Sequence, residues 1–109
     1  MSKFETVVLF SPELSSANLK KEENLFEELL KTINGDIISQ EDWGLRNLSY
    51  SIKNNKKAFY KFYQIEADGS KIQNIKKNIN QNEQILRHLF IKVNNHAELP
   101  TKIFKSESK

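Results

Sequence analysis

Cysteine is absent from this chain, glycine occurs only three times and histidine only twice. Without cysteine there are no disulfides, no thiolate metal ligands and no cysteine nucleophile, a usage that agrees with a reducing cytosol. Gly35, Gly44 and Gly69 stand far apart, so no glycine-rich phosphate loop is present. His88 and His96 would leave half of a zinc site's ligands to unpatterned carboxylates, and no cofactor is implied. Neither histidine is accompanied by a nucleophile or a carboxylate pair at a recognisable spacing, so catalysis and a small-molecule substrate find no support. Long apolar runs are missing too. No window approaches the roughly 20 apolar residues that cross a bilayer, and Met1-Ser2-Lys3-Phe4-Glu5 goes straight into a strand pattern instead of a signal-peptide core. A cytoplasmic protein with no membrane partner is expected.

What remains is 109 residues with 38% hydrophobic content, enough for one compact domain. Lys and Arg exceed Asp and Glu by 17 to 14, a net charge of +3 that does not by itself indicate nucleic acid. Distribution is more telling. Acids gather at Glu22, Glu23, Glu27 and Glu28 and again at Asp36, Glu41 and Asp42, whereas Lys53, Lys56, Lys57 and Lys61 follow one another without an intervening acid.

From Lys3 to Phe10 the pattern is a strand with Phe4, Thr6, Val8 and Phe10 on one face and Val7 and Leu9 on the other, as in a central strand. Pro12 ends it. A helix capped by Ser15 or Ser16 carries the stripe Phe26, Leu29, Leu30, Ile33 and stops near Gly35. Asp36 to about Ile52 is a long strand with a bulge or bend at Trp43-Gly44. The Lys53–Lys57 stretch predicts a hairpin tip too long and too polar for a two-residue turn, leading to a third strand from about Ala58 to Glu66. Asp68-Gly69-Ser70 opens a second helix with Ser70 as a cap and Ile72, Ile75 and Ile79 as its apolar face. A fourth strand covers roughly Ile85 to Val93, with Leu89, Ile91 and Val93 opposed to Phe90 and Lys92. The order βαββαβ predicts an α+β, ferredoxin-like domain over 1–95, two helices covering one face of a four-stranded antiparallel sheet, with 96–109 as a C-terminal tail. This topology hosts many functions and names none.

The run Trp43-Gly44-Leu45-Arg46-Asn47-Leu48-Ser49-Tyr50-Ser51-Ile52, the basic turn Asn54-Asn55-Lys56-Lys57 and the aromatic strand Phe59-Tyr60-Lys61-Phe62-Tyr63 stand in that order. So do Phe4-Glu5 near the start, and Asn82-Glu83 before Ile85-Leu86-Arg87-His88. Together they resemble the ribosomal protein S-six family of the bacterial small subunit, from about Lys3 to Val93. Departures are mild: Ser49 stands for the family's alanine, Ser51 for its usual proline, and Ala58 for a glycine.

The resemblance implies the same fold and a non-enzymatic role as a structural component of the small ribosomal subunit. It implies binding to the central domain of small-subunit ribosomal RNA together with ribosomal protein S-eighteen. On that footing Lys53, Lys56, Lys57 and Arg87 are candidate phosphate contacts, with Arg46, Lys3 and Lys92 as weaker ones. Each has a plainer reading. Tip lysines keep strand edges solvated, Arg87 can snorkel along apolar surface, and Arg46 can simply brace the bend. Trp43, Leu45 and Tyr50 are candidate partner contacts or ordinary core. Val7, Leu9 and Phe90 would mark a protein interface if they formed one exposed patch. The alternative function is a free-standing single-stranded RNA-binding module in which Tyr60 and Phe62 stack on bases. The tail is short and ends in lysine, so no tail modification is carried over.

Overall fold

A computed structural model describes residues 2–95; the tail predicted from residue 96 lies outside the described residues. The elements are β1 (Ser2–Phe10), α1 (Ser16–Lys31), β2 (Asp36–Ile52), β3 (Asn55–Ala67), a 3₁₀ turn (Gly69–Lys71), α2 (Ile72–Asn80) and β4 (Ile85–Val93). The sheet order is β2-β3-β1-β4 with every neighbouring pair antiparallel, so β1 is central and β2 and β4 are the edges. This is the expected ferredoxin-like βαββαβ arrangement.

Both helices lie on the face defined by the even residues of β1. There Phe4, Val8 and Phe10 join Tyr63, Ile65 and Ala67 of β3, and meet Phe26, Leu30 and Ile33 from the α1 side and Ile72, Ile75 and Ile79 of α2. The Phe26 and Tyr63 rings sit 4.7 Å apart in a tilted pair. Helical spacing in α1 and α2 therefore does what it predicts, turning one stripe of each toward the sheet.

Local chemistry sets the ends. Ser15 caps α1, its hydroxyl accepting from the Asn18 N–H at 3.2 Å. At the other end Asn34 takes the left-handed conformation at φ 56°, and the Gly35 N–H donates to the Leu30 carbonyl at 2.8 Å. A Cβ on Gly35 would stand 3.0 Å from that same carbonyl oxygen, so the close approach and not a positive φ calls for glycine there. Ser70 caps neither the 3₁₀ turn nor α2: Asp68 caps the turn that leads into α2, its carboxylate accepting from the Ser70 N–H at 3.0 Å and from the Ser70 hydroxyl at 2.8 Å, and α2 itself starts after Lys71 with no side-chain cap. The hydroxyl bond is the larger cause, the backbone bond the next, that lowers the Asp68 pKa. An ionised carboxylate holds both donors at once, which a hydroxyl at position 70 cannot do for its own N–H.

Two other expectations are corrected. The β2–β3 hairpin closes through the two residues Lys53 and Asn54, with Ile52 directly opposite Asn55, and β3 starts three residues before Ala58. Both turn residues have positive φ, 50° and 66°, the pairing of a type I′ turn. The Asn55 side-chain amide secures it by donating to the Lys53 carbonyl at 3.0 Å. Phe90 does not share a face with Val7 and Leu9. It pairs with Thr6 on the helix side, 6.5 Å from the Phe26 ring, with the Lys76 ammonium 5.8 Å above it. Alternation groups residues within one strand, but only the register says which face of the neighbour they join.

Candidate RNA and partner interface

Among the described residues no helix covers the opposite face of the sheet. It carries Glu5, Val7 and Leu9 of β1, Tyr60, Phe62 and Gln64 of β3, and Leu89 and Ile91 of β4. Leu89 and Ile91 are half exposed, at 53% and 50%. β2 partly covers this face because it carries more residues than the ladder needs. After Asn47 pairs with Lys57, the next pair is Ile52 with Asn55, so Leu48, Ser49, Tyr50 and Ser51 stand against Lys56 alone. The surplus lets Leu48 and Ile52 pack on a second, smaller cluster formed by Leu9, Ala58 and Leu86.

The result is a groove of about 260 Å³ whose walls include Val7, Leu9, Trp43, Leu48, Tyr60 and Leu89. Tyr50 and Arg87 close one side. The guanidinium donates to the Tyr50 hydroxyl at 2.5 Å, with its carbon 5.7 Å from the ring centroid. Because Tyr50 is on β2 and Arg87 on β4, this contact joins the two edge strands across the open face. The sequence places the two residues in separate candidate groups, and nothing in their spacing signals that they meet.

At the bend the register shifts between Asp42 and Gly44, and Gly44 has φ 76°. Trp43 is the extra residue, and its ring lies flat on Phe62 (5.4 Å, 8°) and beside Tyr60 (6.3 Å, 21°). Only 6% of Trp43 is exposed, so it presents little surface to a partner. Its indole N–H donates to Glu41 at 3.2 Å, and Arg46 Nε donates to the Trp43 carbonyl at 3.0 Å. Arg46 thus braces the bend. Leu45, across from Phe59, and Tyr50 are exposed at 48% and 59%.

The candidate cations fall into two groups. Lys53, Lys56 and Lys57 sit on the hairpin end, and a recess lined by Lys53, Asn54, Glu83 and Leu86 puts that end beside the entry to β4. Arg87 pairs with Leu9 near the same end. Lys3 pairs with Glu66 and Val93, and Lys92 with Phe4, at the opposite end of β1, roughly 20 Å away at the usual rise per strand residue. Lys92 also points to the helix side. Lys61 leaves the lysine run altogether: it faces the helices and holds Glu23 at 2.7 Å.

Two polar side chains on the helix side have shifted proton affinities. The Tyr63 pKa is driven far above its ordinary value, first by burial and then by the carboxylates of Glu23, Glu27 and Asp42, so its hydroxyl stays protonated. His88 places Nε2 2.9 Å from Asn80 Oδ1 and packs edge-on to Phe90 at 5.7 Å. Burial, and then the Lys76 ammonium, lowers its pKa below 6.5. The unfolded chain therefore binds more protons than the folded one in the window between the two values. The His88 contribution to stability is complete above the ordinary imidazole pKa and is lost as pH falls through 6.5 to the folded value. The expected NMR titration midpoint of the His88 imidazole is below 6.5, and a midpoint at or above it would refute this assignment.

Among the described residues no group of three or more histidine or acidic side chains is placed to hold a metal ion, and no helix is long and apolar enough to cross a membrane. The fold and site define a small antiparallel α+β domain of the ferredoxin-like class with an open apolar sheet face and a basic end. The particular family follows from comparison with known proteins. A family model for ribosomal protein S6 matches residues 3–92. The chain is 34% identical over 108 residues to small ribosomal subunit protein bS6 of Rickettsia felis, covering 99% of this chain and 89% of that one. It is 32% identical over 97 residues to the bS6 of Christiangramia forsetii, covering 89% and 87%. The fold matches the crystal structure of 30S ribosomal protein S6 from Thermotoga maritima with a TM-score of 0.80 at 17% identity, over 84% of this chain and 87% of that one. The chain belongs to the ribosomal protein S6 family. Members of this family are structural components of the small ribosomal subunit and not enzymes, and their place of work is the ribosome of the cytoplasm.

Proposed function

We propose that this chain binds the central domain of small-subunit ribosomal RNA jointly with ribosomal protein S-eighteen, with the hairpin end toward phosphate and the open sheet face toward the partner protein. The observation that carries this reading is the Arg87–Tyr50 contact, which sets a phosphate-type cation directly on the rim of an apolar groove. A surface of that kind suits an RNA and a protein docking side by side. Lys53, Lys56 and Lys57 lie near the same end and extend the basic rim, and Tyr50 on the open face is exposed enough to meet a partner, whereas the exposed Leu45, across from Phe59, stands on the helix side. Lys3 and Lys92 stand apart from that rim and are assigned a lesser part.

The free-standing module, in which Tyr60 and Phe62 stack on single-stranded bases, has less in its favour. Phe62 is only 4% exposed and lies under Trp43, and the open face of β1 offers Val7 and Leu9 instead of a second aromatic platform.

The test is a titration with a central-domain RNA fragment across a salt series, with and without the S-eighteen protein. Tight, salt-dependent binding is expected only with the partner present. Replacing Lys53, Lys56, Lys57 and Arg87 by alanine should flatten the slope of log affinity against log salt by about 0.7–0.9 for each phosphate that is no longer neutralised. An unchanged slope would remove these residues from the RNA interface. Equal binding of the chain alone to unstructured strands would favour the free-standing module.

A further inference from the structure

Asn34-Gly35 is the sole Asn-Gly step in the sequence, and it lies at the junction between α1 and β2. This dipeptide is chemically labile, because glycine leaves the backbone nitrogen unhindered for attack on the preceding side-chain amide. The fold engages the reacting groups separately. The Asn34 side chain belongs to an exposed residue, whereas Gly35 is buried and its N–H is committed to the Leu30 carbonyl at 2.8 Å. The Asn34 N–H is likewise held, by the Lys31 carbonyl at 3.1 Å. Packing leaves the glycine little room: the space around its Cα is bounded by Leu30 O and the Ala67 Cβ, which an added Cβ would meet at 3.0 and 3.4 Å.

The geometry points to Asn34-Gly35 as a latent self-modification site that the folded chain holds closed and that opening of the α1–β2 junction releases. Reaction requires the Gly35 nitrogen to lose its proton and attack the Asn34 side-chain carbonyl carbon. The new N–C bond closes a five-membered succinimide as the side-chain nitrogen departs as ammonia. Water then opens the ring at either carbonyl, giving aspartate or, with the backbone rerouted through the side chain, isoaspartate. No electrons are transferred. While the Gly35 N–H is buried against Leu30 O, base cannot reach its proton and the nitrogen cannot turn toward the side chain, so the reaction waits for local opening.

The products act against the fold that restrained them. Either one adds a negative charge just beyond the carboxyl end of α1, where the macrodipole is already negative and Lys31 is the basic residue of the last turn. Isoaspartate also lengthens the backbone by a methylene, so the Gly35 N–H no longer falls on the Leu30 carbonyl. A chain that reacts while open at this junction thereby carries a permanent record of it.

The experiment follows the full chain at mildly alkaline pH by peptide mapping for the one-dalton gain at position 34, with Gly35 amide hydrogen exchange measured on the same samples. In native buffer the reaction should be at least about tenfold slower than in denaturing urea, and at intermediate urea its rate should rise in step with Gly35 exchange. Equal rates in the two conditions, or reaction while the Gly35 amide stays protected, would overturn the gating. The purified isoaspartate form should lose Gly35 protection after refolding, and full retention would overturn the claim that the product prevents closure.

Discussion

Phe26→Ala should remove about 3–5 kcal/mol of stability, out of the roughly 5–15 kcal/mol that holds a domain of this size together. Phe26 is 1% exposed, and it faces two strands at once, with its ring 4.7 Å from Tyr63 on β3 and 6.5 Å from Phe90 on β4. Truncation leaves a cavity between a helix and two strands fixed by ladder hydrogen bonds on both sides of β1, so the walls have little freedom to collapse inward. The neighbouring position supplies the control. Leu25 is 42% exposed on the same helix, and Leu25→Ala should shift stability by about 0.5 kcal/mol at most. Urea unfolding followed by circular dichroism measures both, with an unchanged m-value expected because the denatured state is not altered. A loss below about 1 kcal/mol for Phe26→Ala would mean that α1 does not pack on the sheet as described.

That contrast between adjacent residues also explains how much of the fold is legible in the amino-acid order. Helical spacing places Phe26, Leu30 and Ile33 together, and strand alternation places Phe4, Val8 and Phe10 together, because each period is a property of its own element. The βαββαβ order follows from a sum of such local patterns. The bend at Trp43-Gly44 is legible for the same reason, since a glycine inside a strand pattern has few other meanings. What is not legible depends on relations between strands. Phe90 looks like a companion of Val7 until the register pairs it with Thr6, and Lys61 looks like a member of the lysine run until its strand parity turns it toward Glu23. The hairpin turn is missed because Lys53-Asn54 lacks the glycine that usually announces two positive φ values; the Asn55 side chain anchors the turn instead.

The candidate site follows the same division. Lys53, Lys56 and Lys57 are neighbours in sequence and remain neighbours on the hairpin, so their clustering is visible in advance. Arg87 lies 37 residues from Tyr50, and the pair forms only because the surplus residues of β2 bow across the open face to reach β4. The charge balance of +3 hides this concentration, since acids on α1 and early β2 offset cations gathered at one end of the sheet. Net charge is thus a poor guide to the surface that matters, and placement is the better one.

Trp43→Ala carries the second large effect. The indole is the extra residue of a bulge, lies flat on Phe62 at 5.4 Å and is 6% exposed, so its removal uncovers Phe62 and Tyr60 as well as forfeiting its own burial. A loss of about 3 kcal/mol is expected, the low end for a tryptophan truncation, because an edge strand can relax toward the gap. Trp43 is the sole tryptophan of the chain, so unfolding of the variant has to be followed by circular dichroism. The same substitution separates packing from recognition. Lys53, Lys56 and Lys57 lie on the hairpin beyond the bend, so the folded variant should keep the wild-type salt slope for RNA even as its stability falls. If the slope instead drops by about one unit or more, the bend does more than fill space: it aims the basic hairpin end at phosphate. If folded Trp43→Ala gains affinity for unstructured strands on the scale of a stacked base, about 1–3 kcal/mol, then the indole is a lid over a stacking platform, and the aromatic strand reads bases once that lid is lifted.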